Sequence, residues 1–89
     1  MNNLAVAAFG TFGMFLTHVA AKLDEAEQQH GANWPKTGLP EWALVLGEET
    51  GEVQKAVLEH RFGVGDVGAI QSEAVQVAAM AFKLWEAAQ

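Results

Sequence analysis

The sequence predicts an all-α fold, in which a three-helix subunit completes a four-helix-type bundle by oligomerisation. Three observations predict this class. Apolar residues recur at helical spacing in three segments, and two stretches rich in glycine or proline separate those segments. In addition, no segment shows the period-2 alternation of a half-buried strand. At 89 residues, the chain is predicted to form a single domain, residues 1–89.

The composition argues against several classes of protein. With 51% hydrophobic and 18% charged residues, the chain lacks the signature of disorder. A net charge of −6 without a basic run predicts no nucleic-acid partner. The absence of cysteine excludes disulfides, thiolate zinc sites and cysteine nucleophiles. Polar residues dilute the apolar stretch Leu4–Ala21 and no basic residue precedes it, so we expect no membrane partner and a cytoplasmic location.

The first helix is predicted from about Leu4 to about Gln29. Gly31 is expected to end it, and the stretch from His30 to Pro40 is predicted to be a loop, because it holds two prolines and two glycines. At roughly 100° per residue, one apolar stripe follows the helix. It contains Phe9, Phe12, Leu16, Val19, Leu23 and Ala26.

The second and third helices are predicted from about Pro40 to about Arg61 and from about Ala69 to the C-terminus. Proline suits the first turn of a helix, and Glu41 has the charge that a helix N-terminus favours. The break between the two helices, residues 62–68, contains a G-x-G-x-x-G pattern. That pattern binds dinucleotides only after a strand, so we predict a plain connection here.

Glutamates occur inside the apolar stripes of both helices. In the second helix, Glu49 projects about 20° from Trp42 on the wheel. Glu52 falls on the edge of this stripe, and Glu48 lies one step further toward solvent. The apolar members of the stripe are Trp42, Leu46, Val53 and Val57, flanked by Val45 and Ala56.

The third helix repeats the arrangement, with Glu73 at the centre of its stripe and Gln76 on the edge. The apolar members are Ile70, Val77, Met80 and Leu84. A second apolar arc lies roughly opposite Glu73. It contains Val75, Ala78, Phe82 and Trp85. A helix that is apolar on two sides must be covered on both, which predicts at least a homodimer.

Carboxylates buried against hydrocarbon cost several kcal/mol per ion unless they are compensated. Two solutions are open: protonation with raised pKa values, or a bound cation. Oxygen ligands without cysteine favour Mg²⁺ or Mn²⁺, and carboxylates at i and i+3 of a helix can reach the same ion. If the assigned faces are wrong, the glutamates are ordinary surface acids.

Two segments carry a resemblance to a known family. Glu48-Glu49-Thr50-Gly51-Glu52-Val53 and Glu73-Ala74-Val75-Gln76-Val77-Ala78-Ala79 resemble the MazG-like all-α NTP pyrophosphohydrolases. That family carries E-x-x-E on one helix and E-x-x-D on the next. The first pattern matches at Glu49 and Glu52, and the second matches at Glu73 but has Gln76 in place of aspartate. Gln28, Trp34 and Trp42 are also similar to residues of short MazG-like proteins.

The resemblance implies hydrolysis of a nucleoside triphosphate to the monophosphate and pyrophosphate. The implied role of this reaction is the removal of non-standard nucleotides. The resemblance implies that the metal ligands are Glu49, Glu52, Glu73 and Gln76. It also implies that the catalytic residues are Glu48 and Glu49. Glu48 is a further ligand or positions the water. The same resemblance suggests that Lys55 meets a phosphate, that Trp34 stacks on the base, and that Gln28 contacts substrate. It also implies a homodimer or homotetramer, with the active site near the subunit interface.

Competing interpretations remain for several of these residues. Lys55 is equally compatible with a solvated helix face, and Trp34 with a loop anchor. For the whole chain, one alternative is a catalytically weak homologue that binds nucleotide or metal, which Gln76 favours. The other is a helical oligomerisation module whose glutamates specify pairing.

Overall fold

The computed structural model describes residues 9–31 and 38–89, and within them all regular structure is helical. The all-α prediction is therefore confirmed for this part of the chain, which contains no strand. The described residues form three helices: α1 (Thr11–His30), α2 (Leu39–Arg61) and α3 (Val67–Ala87).

The chain divides into two compact units, Met1–Lys36 and Thr37–Gln89. The first contains α1, and the second contains α2 and α3, which pack against each other as a helical hairpin. None of the helices in the described residues is long and apolar enough to cross a membrane. Completion of a bundle by further subunits stays a prediction, as does the single domain over residues 1–89.

Helix α1 begins after a break at Gly10, so the predicted continuous helix from Leu4 is wrong at this point. Phe9 is helical, but Gly10 has φ 60° and ψ −130°, a conformation that side-chain-bearing residues rarely adopt. The helix ends at His30, because Gly31 takes φ 90° and its N–H donates to the Glu27 carbonyl oxygen at 2.7 Å. The predicted stop at Gly31 is confirmed. Residues 1–8 and 32–37 lie outside the described residues.

The apolar stripe predicted for α1 is buried only toward its C-terminal half. Val19 and Ala26 are buried, whereas Phe9, Phe12 and Leu16 are exposed. Phe12 stacks on Phe15 with ring centroids 6.5 Å apart. The periodicity therefore predicted the face correctly but not how far along the helix it is covered.

Helix α2 starts as the sequence predicts, within one residue of Pro40. Gly38 is the N-cap, and Pro40 occupies the first turn, where a missing N–H costs nothing. The Glu41 carboxylate turns back and accepts a hydrogen bond from the Gly38 N–H at 3.1 Å. This half of a capping box satisfies a backbone donor that the helix itself leaves free.

Helix α3 starts at Val67, two residues before the predicted Ala69, because Asp66 is an N-cap that the prediction overlooked. The Asp66 Oδ1 atom accepts a hydrogen bond from the Ala69 N–H at 3.0 Å. The connection from α2 is correspondingly short, residues 62–66. It turns at Gly63, whose φ of 79° favours glycine.

The core of the hairpin consists of one large residue and one small residue from each helix. Trp42 and Ala56 of α2 and Ala79 and Met80 of α3 are buried, with relative exposures of 5% or less. Val57, which the wheel placed in the same stripe of α2, is 46% exposed, so that assignment is corrected. The covered face of α2 is centred nearer to Glu49 than to Val57.

Candidate functional site

Glu49 occupies the middle of the α2 face that packs on α3. It lies two helical turns after Trp42 and two turns before Ala56, and both of those residues are buried. Glu49 itself is half-buried. A carboxylate at this place meets hydrocarbon above and below along the helix and loses part of its hydration.

Glu73 and Gln76 occupy the equivalent position on α3. Both are half-buried, and they lie three residues apart, so they are neighbours on the helix surface. Ala79 and Met80, which follow one to two turns later, belong to the buried core. The two polar residues therefore lie on the α3 face that packs on α2.

The electrostatics of Glu49 show that these residues come together. Burial raises the pKa of the Glu49 carboxyl above its ordinary value, and the charge of Glu73 on the facing helix raises this pKa further. Glu52 and Glu48 of α2 add to the rise. Each of these contributions disfavours the charged carboxylate, so four acidic side chains share one local field.

Gln76 opposes the rise through a side-chain hydrogen bond that lowers the pKa of Glu49. A hydrogen bond lowers a carboxyl pKa when it stabilises the ionised form, so the Gln76 amide is the donor and Glu49 the acceptor. The sequence analysis treated Gln76 only as a weakened metal ligand. Its role as a partner of Glu49 was missed, because spacing within α3 does not show which residue of α2 Gln76 meets.

Among the described residues, lysine and arginine side chains contribute nothing to the electrostatic field around Glu49. The ion pairs there join Lys22 to Glu25 and Lys83 to Glu86, with N–O distances of 3.5 and 2.9 Å. Lys55 is exposed and lies about 120° from Glu49 around α2. Of the residues described, no lysine or arginine offsets the pKa rise of Glu49.

The described residues fit a hard divalent cation in donor chemistry and in charge. Carboxylate and amide oxygens are the ligands that Mg²⁺ and Mn²⁺ prefer, and a cation would relieve the repulsion around Glu49. Across residues 9–31 and 38–89, no three acidic or histidine side chains converge closely enough to form a ligand set. Metal binding therefore requires rotation of glutamate side chains on helices that already face each other.

The remaining predicted site residues lie at the margin of the cluster or elsewhere. Glu48 and Glu52 are exposed, although both act on Glu49. Gln28 belongs to α1, where its Nε2 atom donates to the Asp24 Oδ2 atom at 3.0 Å. Trp34 lies outside the described residues, so its predicted role stays a prediction.

No family model matches the chain, and no curated protein or solved structure shows significant similarity to it. The MazG-like resemblance therefore rests on the motifs of the sequence alone.

Proposed function

We propose that the chain is a Mg²⁺- or Mn²⁺-dependent nucleoside triphosphate pyrophosphohydrolase, which releases the monophosphate and pyrophosphate. The observation that carries the proposal is the electrostatic field around Glu49, where burial and three neighbouring carboxylates raise the pKa and no lysine or arginine of the described residues opposes them. Such an arrangement costs stability, and a functional ligand of opposite charge explains why it is tolerated.

The proposed ligands are Glu49, Glu52 and Glu73, together with the carbonyl oxygen of Gln76. When bound, the cation would polarise phosphate oxygens and lower the pKa of a water molecule. The residues of the chain would hold this cation and orient the groups that bind it. Glu49 and Glu73 face each other from two packed helices, and Gln76 fixes the Glu49 carboxylate by its hydrogen bond.

Glu48 is the proposed group for positioning the attacking water. It is exposed and adjacent to Glu49, so its carboxylate is accessible to a water molecule beside the other acidic side chains. Lys55 is left out of the proposed site, because it is exposed and, unlike Glu48, has no effect on the pKa of Glu49. The proposed assembly is a homodimer or homotetramer, supported by the exposed Phe82 and Trp85, whose rings stack 5.9 Å apart on α3.

A catalytically weak homologue that binds nucleotide or metal is the second candidate. The hydrogen bond from Gln76 favours it, since a neutral amide already supplies part of the compensation that a cation would supply. The two candidates differ in turnover. In an assay of pyrophosphate release, Gln76→Asp is expected to strengthen metal dependence under the first candidate and to create turnover under the second.

The direct test is a pyrophosphate-release assay over a panel of standard and modified nucleoside triphosphates, with Mg²⁺ or with EDTA. We expect Mg²⁺-dependent release, and a loss of about 100-fold or more in Glu49→Gln. Glu27→Gln is the matched control, because it makes the same chemical change at an exposed position of α1. Equal activity of the two variants would refute the site, and absence of turnover in the parent chain would refute the enzyme.

A further inference from the structure

The outer face of α2 carries large apolar side chains that nothing in the described structure covers. Leu44 is 71% exposed and Leu58 is 55% exposed. With Trp42 as the zero of the wheel, they lie at about 200° and about 160°, opposite the face that packs on α3. Gly51 lies between them at about 180°.

The glycines of this face leave room for another backbone. A Cβ atom built at Gly47 or at Gly51 would meet nothing within 4 Å. Glycine in a helix interior costs about 0.5–1 kcal/mol relative to alanine, so two of them on one exposed face need a reason. Close approach of a second helix supplies one, because a missing side chain lets helix axes come nearer.

The outer face is self-complementary about Gly51. Leu44 and Leu58 lie at equal distances before and after it along the helix. If a second α2 crosses antiparallel with the two-fold axis at Gly51, Leu44 of one protomer meets Leu58 of its partner, and the reverse contact follows by symmetry. This is the requirement for an isologous interface, in which one patch pairs with itself.

The charges agree with the same register. Lys55 lies four residues after Gly51 and Glu48 three residues before it, on the same side of the contact line. Antiparallel pairing brings Lys55 of each protomer within one residue, about 1.5 Å along the axis, of the level of its partner's Glu48. Lys55 makes no ion pair within the described residues, and at 7 positions from Glu48 it is about 10 Å away along its own helix.

We infer that a second copy of this chain docks on the outer face of α2, antiparallel and centred on Gly51, with Leu44 against Leu58 and Lys55 against Glu48. The inference goes beyond the proposed function, because it names the surface and register of self-association. Glu48 belongs to both proposals, so the tests of this inference measure association and not turnover.

Cysteine cross-linking tests the register directly, because the chain has no cysteine of its own. Gly51→Cys places the only thiol of each protomer on the two-fold axis, where its partner is within disulfide distance. We expect mild oxidation to give a covalent dimer that a reductant reverses. Gly47→Cys is the control, because its two thiols would be offset by about 12 Å along the helix axes. Equal cross-linking of both variants would overturn the inference. So would the absence of a covalent dimer both in Gly51→Cys and in an equimolar mixture of Leu44→Cys and Leu58→Cys chains, which keep Gly51.

Charge reversal gives a second measurement that needs no new thiol. Lys55→Glu and Glu48→Lys each place like charges across the interface, and each is expected to raise the dimer dissociation constant on the order of tenfold in sedimentation equilibrium. The double variant restores opposite charges and should recover the parent value. Failure of the double variant to recover would show that another protein or another segment of the same chain covers this face.

Discussion

At the scale of single residues, Glu49 is a charged side chain on a helix face that packs against another helix. The sequence places it in the centre of an apolar stripe, and the structure confirms that this face of α2 is covered while Glu49 stays half-buried. Its pKa is raised, so the folded chain holds a proton that the unfolded chain has already released. Between the ordinary carboxyl pKa and the raised pKa of Glu49, folding stability therefore falls as the pH rises.

We expect Glu49→Gln to remove this part of the pH dependence. The interval begins near the ordinary carboxyl pKa of 4.5 and extends upward through the raised pKa of Glu49. Without divalent cations, the variant should unfold a few degrees above the parent at neutral pH, and the difference should vanish below the interval. Thermal unfolding across the pH series measures it, with Glu27→Gln as the control. A parent chain no less stable than Glu49→Gln at neutral pH would contradict the described field.

The acidic cluster was predictable from helical spacing, but its internal hydrogen bond was not. Positions on the wheel fix which residues share a face, which is why Glu49 and Glu73 were placed toward each other. Whether Gln76 donates to Glu49 depends on the offset between two helices, and no periodicity within one helix contains that offset. The same applies to the depth of burial that separates Glu49 from Glu52.

At the scale of the helices, the sequence predicted those helix ends at which glycine or proline restricts or permits a particular backbone conformation. Gly31 ends α1 and Pro40 begins α2, as glycine and proline ordinarily do. The start of α3 was missed because Asp66 was counted with the glycines of the connection. An aspartate before a helical segment is a capping signal even inside a glycine-rich stretch. Gly10 was missed for the opposite reason, since strong apolar periodicity continues on both sides of it.

Removal of the Asp66 cap is expected to destabilise the hairpin. Asp66→Ala leaves the Ala69 N–H without its side-chain acceptor and should lower the free energy of unfolding by about 1 kcal/mol. Asp66→Asn keeps an acceptor oxygen and should stay close to the parent. Urea unfolding followed by circular dichroism gives both values. Identical midpoints for the alanine and asparagine variants would contradict the capping role.

At the scale of the whole molecule, the chain exposes more apolar surface than its small core explains. The large apolar residues at least 40% exposed in the second unit are Leu39, Leu44, Val57, Leu58, Phe62, Val64, Val67, Phe82 and Trp85. Large apolar side chains exposed on helix faces, such as Leu44 and Leu58 on α2 and Trp85 on α3, are typical of association surfaces. Self-association was predicted from the two-sided apolar pattern of the third helix and stays a prediction, whereas the exposed apolar face of α2 was recognised only from the exposures.

We expect the midpoint of thermal unfolding to rise with chain concentration, because an oligomer that binds only folded chains gains stability by mass action. Differential scanning calorimetry over about a hundredfold range of concentration measures the effect. Leu44→Ser, on the outer face of α2, should reduce the dependence, and Val64→Ser, in the connection, should preserve it; the two residues are 71% and 76% exposed. A midpoint that is independent of concentration would argue for a monomer.

The short connection between α2 and α3 also orders the events of folding. Only residues 62–66 separate the two helices, and loops of about ten residues close in about 10–100 ns. The hairpin can thus collapse within one chain long before two chains meet, since assembly between chains takes milliseconds or longer. If the chain assembles as proposed, folding should proceed in two kinetic phases, a rapid one independent of dilution and a slow one that dilution retards.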